Sequence, residues 1–128
     1  MTRRSIHTSE VPEHKNPIPQ ASVVRGVLVS SVISGIDLAT GVFAPDKLAQ
    51  FELAFSYLPK LMKAANGTLE DIVKVELYFA NKADRGLANP FWVELFPDEN
   101  SRPARHAHAA SLPEGCYLQI QITAIMEE

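Results

Sequence analysis

Apolar positions recur with a helical period in one central segment of the chain. From Asp46 to Ala65 they return every three or four residues, which predicts an amphipathic helix. Asp46 can cap the first turn, and Asn66 with Gly67 can form a left-handed stop, so the helix is expected to fill this span. Pro59 removes a backbone donor and should kink or break it, but the apolar period continues on both sides and favours a single helix.

Strict alternation of apolar and polar residues predicts strands over residues 71–80 and 118–126. The valine-rich residues 22–31 predict another strand, and residues 104–111 a fourth. Because the side chains of a strand alternate between two faces, each alternating strand should bury one set of apolar residues. The expected buried sets are Val73, Val75, Leu77 and Phe79 in the first strand and Leu118, Ile120, Ile122, Ala124 and Met126 in the second.

The segments between these elements are less regular. Residues 1–15 are polar and predict a loop or a short edge strand, and residues 34–41 predict a loop or a bulged hairpin. A second helix should end near Leu95. It can begin either at Asp84 as its cap or at Asn89, where a proline follows as the first-turn residue.

Strands and helices interleave in this order, with adjacent strand pairs at both ends. The arrangement predicts a single α+β domain over residues 1–128, in which one mixed sheet carries two helices on one face. The other sheet face would remain apolar. Self-association is therefore expected, because exposure of that face to water would leave a large apolar patch.

Composition narrows the classes of function. The 128 residues carry a net charge of −3 without a basic stripe, so a nucleic-acid partner is not expected. Cys116 is the one cysteine, which excludes an internal disulfide. No apolar run approaches the length of a membrane span, and the N-terminus lacks the apolar core of a secretory signal, so a cytoplasmic location is expected.

An arginine at the start of an otherwise apolar strand is the first candidate for chemistry. Arg105 closes the run Ser101-Arg102-Pro103-Ala104-Arg105. Its guanidinium stays protonated and matches the geometry of a carboxylate, so a cleft position would indicate a site for a small carboxylate-bearing molecule. An ordinary strand-end charge that reaches water is the alternative.

Several short segments stand in an order typical of one family. They are Asn16-Pro17-Ile18-Pro19-Gln20, Val27-Leu28-Val29-Ser30-Ser31, Thr40-Gly41, Leu69-Glu70-Asp71-Ile72-Val73-Lys74, Asn89, Pro103-Ala104-Arg105 and Leu112-Pro113-Glu114-Gly115. Over residues 16–125 the chain thereby resembles the YjgF/RidA family of reactive-intermediate deaminases. The resemblance implies a chorismate-mutase-like fold and a homotrimer with ligand clefts between subunits. It also implies hydrolysis of a carboxylate-bearing imine or enamine to a keto acid and ammonia, without a metal or organic cofactor.

The resemblance assigns catalytic roles to two residues. Arg105 matches the arginine that holds the substrate carboxylate. Gln121 stands where the family pattern has a glutamate thought to activate water or relay a proton, and an amide can orient water but cannot titrate. Either the substrate differs, another group supplies the proton, or catalysis is vestigial. Gln121 can also be a polar strand residue that faces water.

Three more residues match positions near the family's cleft. Ile18 replaces a tyrosine of many relatives, which indicates a more hydrophobic substrate unless Ile18 is a core or interface residue. Ser31 aligns with a cleft serine, but the glycine that usually follows is Val32, so Gly35 is the expected flexible point. Asn89 can bond a substrate or a neighbouring loop, or it can cap a helix.

Cys116 and two histidines complete the candidates. Cys116 is expected to be structural, and the turn that carries it is predicted to line the substrate site with backbone carbonyls that hold a water. His106 and His108 share one strand face, opposite to Arg105, and are expected to pack against a helix or a subunit. Two ligands are too few for a metal and the sequence places no third, so no metal site is predicted.

The leading functional hypothesis is hydrolysis of a 2-imino acid or of an amino-dienoate of the aminomuconate type, with Arg105 as the anchor. A non-catalytic carboxylate sensor is one alternative, since Gln121 cannot act as an acid. An endoribonuclease is another, and the acidic charge balance argues against it.

Overall fold

A computed structural model describes residues 2–127, which form one seven-stranded sheet and two α-helices. The elements in chain order are β1 (Arg4–Ile6), β2 (Ala21–Val24), β3 (Val27–Ser30), β4 (Ile33–Ser34), α1 (Lys47–Ala64), β5 (Ile72–Phe79), α2 (Asn89–Leu95), β6 (Ala104–Ala109) and β7 (Leu118–Ile125), with 3₁₀ turns at Leu69–Asp71 and Lys82–Ala88.

The strands lie in the order β1-β2-β3-β7-β5-β6, and β4 also pairs with β7. Only β5 and β6 run parallel, and the other pairs are antiparallel. The two helices cover one face of this mixed sheet, which confirms the predicted α+β class. We call the opposite sheet face the open face.

The core lies between α1 and the central strands. Every second residue of β7 is buried, as the alternation predicts, and β5 contributes Val75, Leu77 and Phe79. Phe51 and Phe55 of α1 pack onto them from the helix side. Each such side chain contributes roughly 1.5–3 kcal/mol through burial, so these central strands are the most rigid support available for a site.

The limits of α1 agree with the sequence prediction. Asp46 accepts a hydrogen bond from the Ala49 amide at 3.0 Å, and the helix continues through Pro59 without a break. At the other end the Gly67 amide donates to the Met62 carbonyl at 2.8 Å. The left-handed residue is Asn66, with φ of 64°, so this is a Schellman stop with asparagine where glycine is commoner.

The single strand predicted over residues 22–31 is wrong, because the segment is the β2–β3 hairpin. Arg25 and Gly26 form its two-residue turn with φ of 50° and 77°. Positive φ at both central positions is the turn geometry that suits tight hairpins. The valines on either side conceal the turn, because apolar alternation continues across it.

The predicted buried face of β5 needs one correction. The register between β5 and β7 shifts between Ile72 and Lys74, so the ladder contains an irregularity of the bulge type. Val73 consequently turns outward with 44% of its surface exposed, and Ile72 takes the buried place. Alternation holds again from Lys74 onward.

The start of the second helix follows neither predicted alternative as stated. Asn81 caps a 3₁₀ turn by accepting from the Ala83 amide at 3.0 Å, and α2 begins directly after that turn. Asp84 does not act as a cap and instead pairs with Lys47 at 2.9 Å. Asn89 is itself helical and makes no capping bond, which leaves its side chain free for another contact.

The predictions for the two irregular segments, residues 1–15 and 34–41, are confirmed. Part of residues 1–15 forms the edge strand β1, and residues 34–41 belong to a small hairpin closed by a bridge between Ile36 and Phe43. Among residues 2–127, no helix has the length and apolar character needed to cross a membrane.

Gly35 lies where β4 approaches α1 most closely. A Cβ atom at this position would lie 2.2 Å from the Gln50 carbonyl oxygen. Gly35 has no positive φ, so the expectation that it serves as a flexible point is wrong, and its role is to permit backbone contact.

Gly35→Ala is therefore expected to destabilise the fold by about 1–3 kcal/mol, because the backbone of α1 cannot yield as a side chain can. Urea denaturation at fixed protein concentration measures the loss. Gly86→Ala is the matched control, since nothing lies within 4 Å of a Cβ there. Equal stability of the two variants would contradict this account of Gly35.

Candidate functional site

Arg105 is held against the α2 side of the sheet edge. Its Cα partner on β5 is the buried Val75, so its side chain starts on the helix-covered face. Nη1 donates to Asn89 Oδ1 at 2.9 Å, and Nη2 donates to the Arg85 carbonyl at 2.9 Å. The Trp92 ring lies 5.3 Å from the guanidinium carbon, within the range of a cation–π contact. Arg105 is thus oriented by three groups and does not extend freely into water.

The contacts leave part of the guanidinium available. Burial lowers the pKa of Arg105, yet an arginine so placed stays protonated at physiological pH. Asn89 and Arg85 engage one N–H on each terminal nitrogen, and the remaining N–H groups can meet a carboxylate. Asn89 thus contacts Arg105 and does not act as a helix cap, and its predicted bond to a substrate stays a prediction.

Gln121 lies on the open face, on the other side of the sheet from Arg105. Its Cα partner is Glu76, which is half-buried on the same face. Gln121 Nε2 donates to the Ser30 carbonyl at 3.0 Å, and Oε1 accepts from the Tyr78 hydroxyl at 3.4 Å. The amide is therefore held in one orientation, with an oxygen that can still accept a hydrogen bond from water.

Ser31 and Ile18 lie beside the strand segment that holds Gln121. Ser31 Oγ donates to the Pro19 carbonyl at 2.8 Å, which ties the two loops together. Ile18 is 45% exposed and lines a cavity of about 340 Å³ that also contains His14. A core position for Ile18 within this chain is thereby excluded, and an interface or cleft position remains.

The predicted site residues, together with Trp92 and Tyr78, which contact them, thus form two groups. The arginine half-site consists of Arg105, Asn89 and Trp92 and lies on the helix side of the sheet edge. The glutamine half-site consists of Gln121, Tyr78, Ser31 and Ile18 and lies toward the open face and the loops beside it. Within one chain the sheet separates them. None of the three cavities of about 580, 340 and 500 Å³ is lined by Arg105 or Gln121, and Ile18 lines the one of about 340 Å³.

Cys116 does not join either half-site through its thiol. It is 3% exposed, and its Sγ donates to the Leu118 carbonyl at 3.4 Å. Two carbonyls of its turn accept hydrogen bonds within the chain, that of Pro113 from the Cys116 amide and that of Gly115 from the Gln50 side chain. The structural interpretation of Cys116 agrees with this burial, and a water held by the carbonyls of its turn stays a prediction.

The two histidines lie on the open face, opposite to Arg105, as alternation predicts. Within residues 2–127, both α-helices lie on the other face of the sheet, so the histidines do not pack against either of them. The sequence places no third ligand beside them, but the parallel pairing of β5 with β6 brings Glu76 next to the pair. Glu76 belongs to a different strand, so spacing within the sequence could not connect it to the His-x-His pair.

Trp92 and Tyr78 were not predicted as site residues. Trp92 stands three positions after Asn89, and this spacing places both side chains on one side of a helix. The sequence could therefore have indicated Trp92 as a neighbour of Asn89. Tyr78 needed the register between β5 and β7, which alternation alone does not supply.

Fold and half-sites together define a small α+β domain with an oriented arginine at the sheet edge. The family model described as Endoribonuclease L-PSP matches residues 8–126. The chain therefore belongs to this family, which confirms the resemblance to YjgF/RidA proteins.

Relatives of similar length support this membership. The chain is 32% identical to a RutC family protein of Leuconostoc mesenteroides subsp. cremoris, covering 98% of this chain and 99% of that protein. It is 31% identical to the rat protein named 2-iminobutanoate/2-iminopropanoate deaminase, covering 96% and 90%. The crystal structure of RidA from the Antarctic bacterium Psychrobacter sp. PAMC 21119 superposes with a TM-score of 0.87 at 27% identity, covering 96% and 99%. Imine deamination is thus a named activity within the family.

Because Cys116 is buried, its thiol is expected to react slowly with alkylating reagents. Burial raises its pKa, so the thiolate fraction at pH 8 is smaller than for a free cysteine, and the sulfur is also shielded. Alkylation by iodoacetamide in native buffer should be at least about 10²-fold slower than in denaturant, as mass spectrometry can follow. Comparable rates in the two buffers would show that the thiol is accessible.

Proposed function

We propose that this protein is a hydrolytic deaminase of imines or enamines that bear a carboxylate, with 2-imino acids as the primary class. The observation that carries the proposal is the oriented, half-buried Arg105 with N–H groups left over for an anion. The names of the relatives support the reaction type. The products are a 2-keto acid and ammonia.

The chemistry asks little of the protein beyond positioning. Arg105 binds the substrate carboxylate and fixes the imine carbon relative to the sheet edge. Gln121 accepts a hydrogen bond from a water through Oε1 and directs it toward that carbon. The water oxygen bonds to carbon, the carbon–nitrogen bond breaks after proton transfer to nitrogen, and ammonia leaves as the carbonyl forms. A protonated imine is already electrophilic, so an oriented water can suffice.

This mechanism requires the two half-sites to meet, and we propose that they meet between subunits of a homotrimer. The open face supports the proposal because it exposes a group of apolar side chains that water alone would cover poorly. The group comprises Val24 at 39%, Val27 at 41%, Val29 at 44%, Val73 at 44% and Ile125 at 56% exposure. A cyclic assembly that covers this face can bring Arg105 of one subunit to Gln121 of the next.

Ile18 affects which substrates of this class the protein would prefer. In an intersubunit cleft its exposed side chain would present an apolar wall instead of a hydroxyl. This favours substrates with an apolar chain beyond the carboxylate, such as 2-iminobutyrate or an amino-dienoate of the aminomuconate type. The same argument gives a small or strongly polar chain a lower kcat/KM.

Ammonia release from 2-iminobutyrate generated in situ tests the role of Arg105. Arg105→Ala should lower kcat/KM by about 10²-fold or more, because it removes a charge-assisted bidentate contact. Arg105→Lys should recover only part of the rate, since it keeps the charge and loses the fork. Arg3→Ala is the control, an exposed arginine far from the site in sequence. If wild type and Arg105→Ala both match the uncatalysed rate, this substrate assignment fails.

Gln121→Glu tests whether the amide limits the rate. A carboxylate at this position can act as a base, and the nearby Glu76 would raise its pKa toward neutrality. We expect turnover to rise by about 10²-fold and to acquire a pH dependence in which the rate increases as the carboxyl deprotonates. Gln121→Ala should fall below wild type. Identical pH profiles for all three proteins would remove Gln121 from the mechanism.

A carboxylate sensor without catalysis is the second candidate, favoured by the inability of Gln121 to titrate. Calorimetry with 2-ketobutyrate distinguishes it, since binding that depends on Arg105 without turnover of the imine supports the sensor. The family description also carries the name of an endoribonuclease, but the net charge of −3 offers little attraction for a polyanion.

A further inference from the structure

A cluster of metal-ligating side chains lies on the open face beside the glutamine half-site, because Glu76 is the Cα partner of Gln121 and Tyr78 stacks on His108. Glu76 on β5 and His106 on β6 are Cα partners in the parallel ladder, and His108 follows two residues later on the same face. One ligand atom from each of the three residues lies within 4.8 Å of the others. Glu76 and His108 are half-buried, and His106 is exposed.

The distances are close to those a metal requires. The His108 Nε2 atom lies 3.2 Å from Glu76 Oε1, and the two imidazole rings are 4.2 Å apart between centroids. In tetrahedral zinc sites with bonds of about 2.0–2.1 Å, neighbouring ligand atoms stand roughly 3.4 Å apart. One edge of such a tetrahedron is therefore already present. The exposed His106 can become the third ligand by a small rotation of its side chain.

The surroundings orient this cluster. The Tyr78 ring stacks on His108 with centroids 4.6 Å apart, which restricts the tilt of that imidazole. Lys74 Nζ lies 3.8 Å from Glu76 Oε1 and is the one nearby cation in the described contacts that competes for the carboxylate. It is 46% exposed, and an ion pair of this kind contributes little, so a metal can displace it.

We propose that Glu76, His106 and His108 bind one divalent transition-metal ion per chain, with zinc as the fitting member of that class. Two imidazoles and one carboxylate suit zinc, nickel or copper, whereas magnesium and calcium prefer oxygen ligands alone. Three protein ligands leave a fourth position for water. The ion joins the edge strand β6 to β5 on the face opposite to Arg105.

Zinc titration of the tag-free, chelator-stripped full chain against a chromophoric competitor tests the proposal. We expect about one zinc per chain and no competition from magnesium. His108→Ala and Glu76→Gln should each weaken binding by more than about 100-fold, because even residues that merely support zinc ligands contribute 10–100-fold. Lys74→Gln should strengthen binding several-fold, since it removes the competing cation. A purely structural role of these side chains would not produce that gain.

His7→Ala is the matched control, because it removes an exposed imidazole outside the cluster. Circular dichroism shows whether each variant folds, and for any that does not, the d–d absorption of cobalt added to wild type reports the coordination instead. Intense tetrahedral-type bands support the site. Stoichiometry far below one, binding that survives His108→Ala, weak octahedral-type bands, or loss of binding in His7→Ala would each overturn the proposal.

Discussion

Side-chain alternation is the constraint on which this account depends. Arg105 is the Cα partner of the buried Val75, and Gln121 precedes Ile122, the partner of Val75 on the other side. Successive strand residues point to opposite faces, so Arg105 and Gln121 lie on opposite sides of one sheet. The proposed site uses both residues and is therefore proposed to form between two chains.

The same constraint explains what the sequence could predict. Alternation in residues 118–126 identified the buried face of β7 completely, because no irregularity interrupts that strand. In residues 71–80 it failed at Val73, where a register shift that leaves no trace in the residue types turns the side chain outward. The Arg25-Gly26 turn escaped detection for a related reason, since valines continue on both sides of it.

Contacts between distant segments account for most of what the sequence left open in the site. The family resemblance identified Arg105 and Asn89 as candidates, but their contact, and the part of Trp92 in it, needed the packing of a helix against the strand. Glu76 joined the two histidines only once the parallel ladder was known. The 0% exposed Gln50, which bonds the turn before β7, carried no signal because its partners are backbone atoms far along the chain. The roles of Arg105 and Gln121 in catalysis remain predictions.

Three features of this protein lie together on the open face. It carries the exposed valines, the glutamine half-site and the Glu76–His106–His108 cluster on one surface. Covering that surface by a neighbouring copy would exclude water from the valines and complete the site in one step. Assembly and catalysis would then be inseparable, so that variants of the apolar group would lose activity without a change in any residue that contacts the substrate.

Mixing two impaired variants tests this claim most directly. Arg105→Ala and Gln121→Ala are each purified, unfolded, combined in equal amounts and refolded together. If each site takes one residue from each of two neighbouring chains, about a quarter of the sites in randomly mixed assemblies are intact, and deaminase activity returns to about that fraction of wild type. Activity that stays at the average of the two separate variants would contradict a site shared between chains.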